Sequence, residues 1–336
     1  MTQLPDDIPS IKQVIQSMQE APVASGHSEL FHYTSIEALH GIMATGTLWA
    51  SNALQLNDSK EMIAFWECLH DPMKAQFTNI LKKEKTNSVR FDSVIEQEGE
   101  IDFLAKKKAE KWINAAYSGL IKTPNGTGMF YPFVTSFTTH SKDDSIDRYR
   151  REHGMLSQWR SYANEGICIV FDTNKLVTMI LSDNDCYTDN FGTFADVIYT
   201  NDTRKISTLL QYLSGIAWYA AAQDEGGFSE YWMEAADETA CSALRVKHMG
   251  FIEENECRIV TLVPTNNYSG NKSRLIHTNN GRAFIKLFES SNKPLPIKKI
   301  IVGPSRSQQE IADRVRWIMR NDELVHCSDT PYIPPK

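Results

Sequence analysis

What most restricts the fold of this chain is a set of short β-branched and aromatic runs placed at irregular intervals. They are "LFHY" (30–33), "TLWAS" (47–51), "FVTSFTT" (133–139), "ICIVFD" (167–172), "ECRIVTLVP" (256–264), "RAFIKLF" (282–288) and "IKKIIVGP" (297–304). Such runs pack well on a pleated surface and read as strands. The stretches between them range from one short helix to long charged helical blocks. That irregularity removes a βα-repeat barrel or a doubly wound sheet and leaves an α+β domain with a mixed or antiparallel sheet. Residues 1–28 read as a lead-in with one helical stretch, "IKQVIQSMQEA". Residues 29–336 read as a single domain with helical insertions at about 60–125 and 203–250, closed by a strand in "LVHCSDTPYI".

Bulk properties narrow the setting. A chain of 336 residues can bury a large core, and 41% hydrophobic with 23% charged residues is a globular balance. A net charge of −7 argues against a surface built for non-specific nucleic-acid or membrane binding. The six cysteines form no C-x-x-C pair and suggest no metal site. Cys168 and Cys257 lie in apolar runs, as reduced thiols acting as small hydrophobes. The polar start "MTQLPDDIPSIKQ" is unlike a signal peptide, and no apolar run is long enough to cross a bilayer. A cytoplasmic protein with no membrane partner is expected.

Local patterns place the elements. In "LFHY" the pleat puts Leu30 and His32 on one face and Phe31 and Tyr33 on the other. Thr34 followed by Glu37 forms a capping box for a helix with Ile36, Leu39, Ile42 and Met43 inside and Gly46 as C-cap. Asn57 or Asp58 is expected to cap a second helix with the stripe Met62, Phe65, Trp66 and Leu69. "FLAKKKAEKWINAAYSGLI" is a third, packing Trp112, Ile113, Ala116, Tyr117 and Leu120. "HSKDDSIDRYRREHG" reads as a polar loop and "SQQEIADRVRWIMRN" as an amphipathic helix.

Three groups could carry chemistry. In "FIEENECRIV" alternation places Glu254, Glu256 and Arg258 on one strand face. They form either a solvated ion-pair ladder or a site whose arginine lowers one acid's pKa. His32 is either a satisfied strand residue or a site residue, with Tyr33, Thr34 and Ser35 beside a helix start able to hold a phosphate. "QWRSYANEG" offers Trp159, Arg160 and Tyr162, as a buried turn or as an aromatic ledge with a cation. "GPSRSQQE" is not a phosphate loop, "GGFSE" is not a nucleophile elbow, and no H-E-x-x-H or G-x-G-x-x-G occurs.

The ordered series "LFHYTS", "LWAS…LNDSKE", "VTSFTTHSKDDS", "LSQWRSYANEGICIVFD", "EENECRIV", "IKKIIVGP" and "CSDTPYI" resembles the large bacterial family known as domain of unknown function 2971. The arrangement of its first strand, short helix, second strand and late E-x-E strand is also similar to that of ADP-ribosyltransferases. That resemblance implies a split β-sheet core and NAD as the substrate. It implies a protein or nucleic-acid acceptor, and a toxin or anti-phage role with a possible antitoxin or regulatory partner. Carried over, His32 would hold the NAD ribose, and Glu256 or Glu254 would bond the nicotinamide-ribose 2′-hydroxyl. The stacking aromatic falls to Trp49, Trp159 or Tyr162. Tyr33, Thr34, Ser51, Trp159, Arg160, Tyr162 and Arg258 would complete the cofactor-binding set. The same residues leave open a metal-independent nuclease or other hydrolase, and a non-enzymatic sensor or adaptor.

Overall fold

The computed structural model describes residues 26–56, 62–87, 100–123, 128–141, 144–163, 165–187, 191–202, 204–206, 239–265, 272–291 and 293–332. In chain order β1 (Glu29–Thr34), α1 (Ile36–Thr45) and β2 (Leu48–Asn52) precede the long helices α2 (Ile63–Asn87) and α3 (Ile101–Leu120). Next come β3 (Phe130–Thr138), α4 (Ser145–His153), α5 (Leu156–Tyr162), β4 (Ile167–Asp172), α6 (Thr173–Asn184) and β5 (Phe191–Asp196). The short strands β6 (Ile198–Tyr199) and β7 (Val246–Lys247) pair with each other in parallel. A 3₁₀ turn (Met249–Glu254) then leads into β8 (Glu256–Pro264). β9 (His277–Asn279), β10 (Arg282–Leu287), β11 (Ile297–Val302), α7 (Gln308–Met319) and β12 (Val325–Cys327) complete the chain.

Ten strands form one sheet in the order β12-β11-β4-β1-β3-β2-β10-β9, with β8 along β3 and β5 along β8. Every pairing in it is antiparallel except β11–β12, so the α+β class and the mixed sheet hold. One sheet face is covered by the apolar stripes of α1, α6 and α7, which enclose Leu30, Phe137, Ile169 and Ile259. The other face has two separate covers. The α2–α3 pair packs on Val134 and Val260, while α5 packs on Phe31, Tyr33, Cys168 and Val170.

β3 opens the sheet. Along one edge it pairs with β8 over its whole length, from Phe130 opposite Pro264 to Thr138 opposite Glu256. Its other edge meets β2 only at Phe133 and Val134, and meets β1 only at Thr138. Over Thr135, Ser136 and Phe137 that edge has no ladder partner among the described residues. Buried carbonyls need donors, so side chains fill the gap. His32 Nδ1 donates to the Ser136 carbonyl at 3.0 Å, and Thr135 Oγ1 donates to the Trp49 carbonyl at 3.0 Å.

Several local expectations are corrected. The stretch taken as a polar loop contains α4, which buries no side chain. It is held by Asp144, whose carboxylate accepts from the Ile146 and Asp147 amides, and by the Arg150–Asp147 pair. Its sequence is almost wholly polar and charged, so caps and ion pairs rather than burial hold it. Ser35, not Thr34, caps α1 by accepting from the Ala38 amide. α6 and β5 were not anticipated, and the closing strand is only three residues long. The expected caps Asn57 and Asp58, most of the lead-in and the centre of the 203–250 insertion lie outside the described residues. Among the described residues no helix is long and apolar enough to cross a membrane.

Candidate functional site

A cavity of about 310 Å³ lies where the sheet opens, on the face between the two helical covers. β1 contributes His32 and Tyr33, β2 contributes Trp49 and Ser51, and β3 contributes Ser136 and Thr138. α5 contributes Tyr162. Lys247, Phe251, Glu254, Glu256 and Arg258 come from β7, the 3₁₀ turn and β8, and Arg282 from β10.

Pleat and register explain which side chains reach it. Phe31 pairs with Thr138 and Thr138 with Glu256, so these three point to one face. Arg258 and Ser136 follow two residues along. By the same parity His32 leaves β1 toward the opposite face, where its ring lies 5.7 Å from that of Phe137. It nevertheless lines the cavity, beside the gap in the β1–β3 ladder.

Its chemistry follows from that position. The Ser136 carbonyl can only accept, so Nδ1 carries the proton. Burial lowers the imidazole pKa, partly opposed by that carbonyl. His32 is therefore a neutral ring at neutral pH, with a lone pair on Nε2.

The acids form a quartet with two cations, of which Glu256, Arg258 and Lys247 are buried and Glu254 partly so. Arg258, 1% exposed, reaches both oxygens of Glu256, with Nε to Oε1 at 2.6 Å and Nη2 to Oε2 at 3.1 Å. Its Nη1 donates to the Leu244 carbonyl at 2.8 Å. Lys247 Nζ bridges Glu256 Oε2 at 2.9 Å and Glu254 Oε2 at 2.7 Å, over the Phe251 ring. Burial alone would raise the Glu256 pKa, but Arg258, Lys247 and the Ser136 hydroxyl together hold it at about 2. For Lys247 burial pulls the pKa down, and the two glutamates outweigh it and leave it raised. Tyr162 donates to Glu254 Oε1 at 2.9 Å, and burial plus the nearby carboxylate push its phenol well up.

Glu254 does not share a strand face with Glu256, as alternation suggested. It ends the 3₁₀ turn, and Asn255 in the left-handed region (φ 41°) swings it back toward Lys247. Ser136 links the two halves of the site. Its carbonyl takes the His32 proton donor, and its hydroxyl bonds Glu256.

Of the residues singled out in the sequence, His32, Tyr33, Trp49, Ser51, Tyr162, Glu254, Glu256 and Arg258 line this cavity, while Thr34, Trp159 and Arg160 do not. The ledge reading of Trp159 is overturned. Its indole is 1% exposed, lies edge-on to Tyr33 and donates to the His153 carbonyl. A Cβ on Gly154 or Gly303 would overlap the ring, so glycine backbone closes over it. Arg160 instead lies over the Tyr332 ring at 5.0 Å. The Tyr33 hydroxyl is occupied by the Met155 amide at 2.8 Å. Lys247, Ser136, Phe251 and Arg282 were missed. Ser136 carried one signal, a polar residue in an alternating run beside an aromatic, whereas a lone lysine in "RVKHMG" carries none.

Residues 158–259 match the model of a family described as "Protein of unknown function (DUF2971)". That span begins at Gln158 of α5 and ends one residue past Arg258, so it contains the whole acid–cation quartet. No curated protein and no solved structure matches the chain.

Proposed function

We propose that this cavity cleaves the nicotinamide–ribose bond of NAD and transfers ADP-ribose to a protein or nucleic-acid acceptor. The observation that carries this reading is the convergence of His32 and Glu256 on one cavity at the opening of the sheet. A pocket near the lower end of the usual small-molecule range of about 300–1,000 Å³ suits the nicotinamide-ribose half of a dinucleotide.

In that reaction the C1′–N bond breaks and its electron pair returns to the nicotinamide ring, which leaves as a neutral molecule. C1′ becomes oxocarbenium-like and is captured by an acceptor lone pair, and the acceptor loses its proton. A fixed carboxylate stabilises the developing positive charge. Glu256 suits that role because it stays ionised and both its oxygens are held. The same low pKa makes it a poor proton acceptor. Glu254, less buried and tethered through Tyr162 and Lys247, is the acid placed to take the acceptor proton. Neutral His32 offers Nε2 as acceptor to a ribose hydroxyl. With Trp159 buried, Tyr162 remains as the wall for the nicotinamide ring.

The test is nicotinamide release from NAD by the full chain, with protein and nucleic-acid acceptors both supplied. Glu254→Gln and His32→Ala are each expected to cut release by a hundredfold or more while the circular-dichroism spectrum is unchanged. Wild-type protein that releases no nicotinamide with either acceptor refutes the proposal. One observation favours a second reading. Two acids and two cations sum to zero charge, which suits a module that binds the dinucleotide without cleaving it. Saturable NAD binding with no nicotinamide release identifies that case.

A further inference from the structure

We propose that Trp49 and Arg282 form a nucleotide subsite at the cavity mouth for the adenylate end of the dinucleotide. This inference rests on the function proposed above and places the second half of the same ligand.

Ring geometry is the first support. Phe284 pairs with Ser51 and with His277, and Lys286 pairs with Trp49, so Trp49, Phe284, Arg282 and His277 share one sheet face. Trp49 stacks on Phe284 at 3.9 Å and 19°, and Phe284 stacks on His277 at 5.2 Å and 25°. A cross-strand aromatic ladder alone would account for the stack. It does not account for Trp49 being 48% exposed while lining the cavity. One indole face is covered by Phe284, and nearly half of the residue stays exposed for a second ring. The ring is already held in place, so stacking a base on it orders little further, and base stacking on an aromatic typically changes affinity about ten- to a hundredfold.

Charge is the second support. Deep in the cavity Lys247 and Arg258 are matched by Glu254 and Glu256, and His32 is neutral. Arg282 is exposed at the rim and forms no ion pair among the described residues. It is therefore the lining cation left to meet a phosphate, for which a guanidinium is geometrically suited. Size is the third. A cavity of about 310 Å³ that takes the nicotinamide-ribose end sends the rest of the ligand out across this rim.

The experiment is calorimetric titration of the full chain with AMP, and with adenosine and inorganic phosphate as partial ligands. AMP is expected to bind. Trp49→Ala should weaken both AMP and adenosine by tenfold or more, and Trp49→Phe should restore most of the loss. Arg282→Gln should weaken AMP by tenfold or more and leave adenosine unchanged. No AMP binding at millimolar concentration overturns the subsite, as does AMP binding indifferent to both substitutions. Binding of a single-stranded oligonucleotide without AMP binding overturns it too. Nicotinamide release on the same samples separates the two proposals. Release without AMP binding removes only the subsite, and AMP binding sensitive to both substitutions without release removes only the transferase reading.

Discussion

Replacing Glu256 with glutamine tests whether the quartet is a working electrostatic unit. The substitution keeps the shape and removes one charge, so two acids and two cations become one acid and two cations, and Arg258 and Lys247 are left buried with surplus charge. A carboxyl held at about 2 against an ordinary 4.5 corresponds to about 3 kcal/mol of native-state stabilisation at neutral pH. Breaking one partner of a buried pair costs about 3–5 kcal/mol in comparable cases, which agrees. The sign with pH is determined. Glu256 has a depressed folded pKa, so its contribution is complete above pH 4.5 and is lost as pH falls toward 2. The variant lacks that dependence. Urea unfolding should therefore show a gap of about 3 kcal/mol between wild type and Glu256→Gln at pH 7, shrinking to less than half by about pH 3. A gap below about 1 kcal/mol at pH 7, or one constant down to pH 3, refutes the argument.

Four further outcomes follow from the same structure. His140 is buried against Phe31, and burial lowers its pKa to about 4 despite Asp147 beside it. The unfolded state takes up this proton near pH 6.5 and the native state does not, so stability falls by about 3 kcal/mol between pH 6.5 and pH 4. Denaturation curves of His140→Leu should lack that slope, and an unchanged slope excludes His140 as its source. Gly154→Ala meets both a φ of 79° and the Trp159 ring, so it should cost more than about 1 kcal/mol in thermal unfolding. Trp159→Ala should cost about 3–5 kcal/mol, and full retention of stability would return the ring to a surface role. Ser136→Ala removes the hydroxyl on Glu256 but keeps the carbonyl on His32. It should raise the Glu256 pKa, visible as an earlier acid-induced loss of stability, without moving the His32 titration followed by NMR.

Much of the architecture was legible because it is local. The apolar runs at 167–172, 256–264, 282–287 and 297–302 became β4, β8, β10 and β11. The 3.6-residue stripes of α1, α3 and α7 became buried helix faces. α4 was missed because capping and ion pairs, among them Arg150–Asp147 and Arg151–Glu29, stabilise it without a buried face. The Trp159 ledge failed because a sequence cannot show that Gly303, far along the chain, closes over the indole together with nearby Gly154.

By itself the chain determined the α+β class, the strand segments and the short list on which His32, Glu254, Glu256 and Arg258 stood. Strand and helix periods are written residue by residue. Tertiary structure alone decided that β3 parts from β1 and β2 over three residues. His32 lines the cavity beside that break, and packing of β7, β8 and β10 around it brings Lys247, Ser136 and Arg282 to the same place. The physical reason is that ladder pairing depends on long-range register, and whether a strand acid is buried beside its cations depends on which segments the fold lays over it.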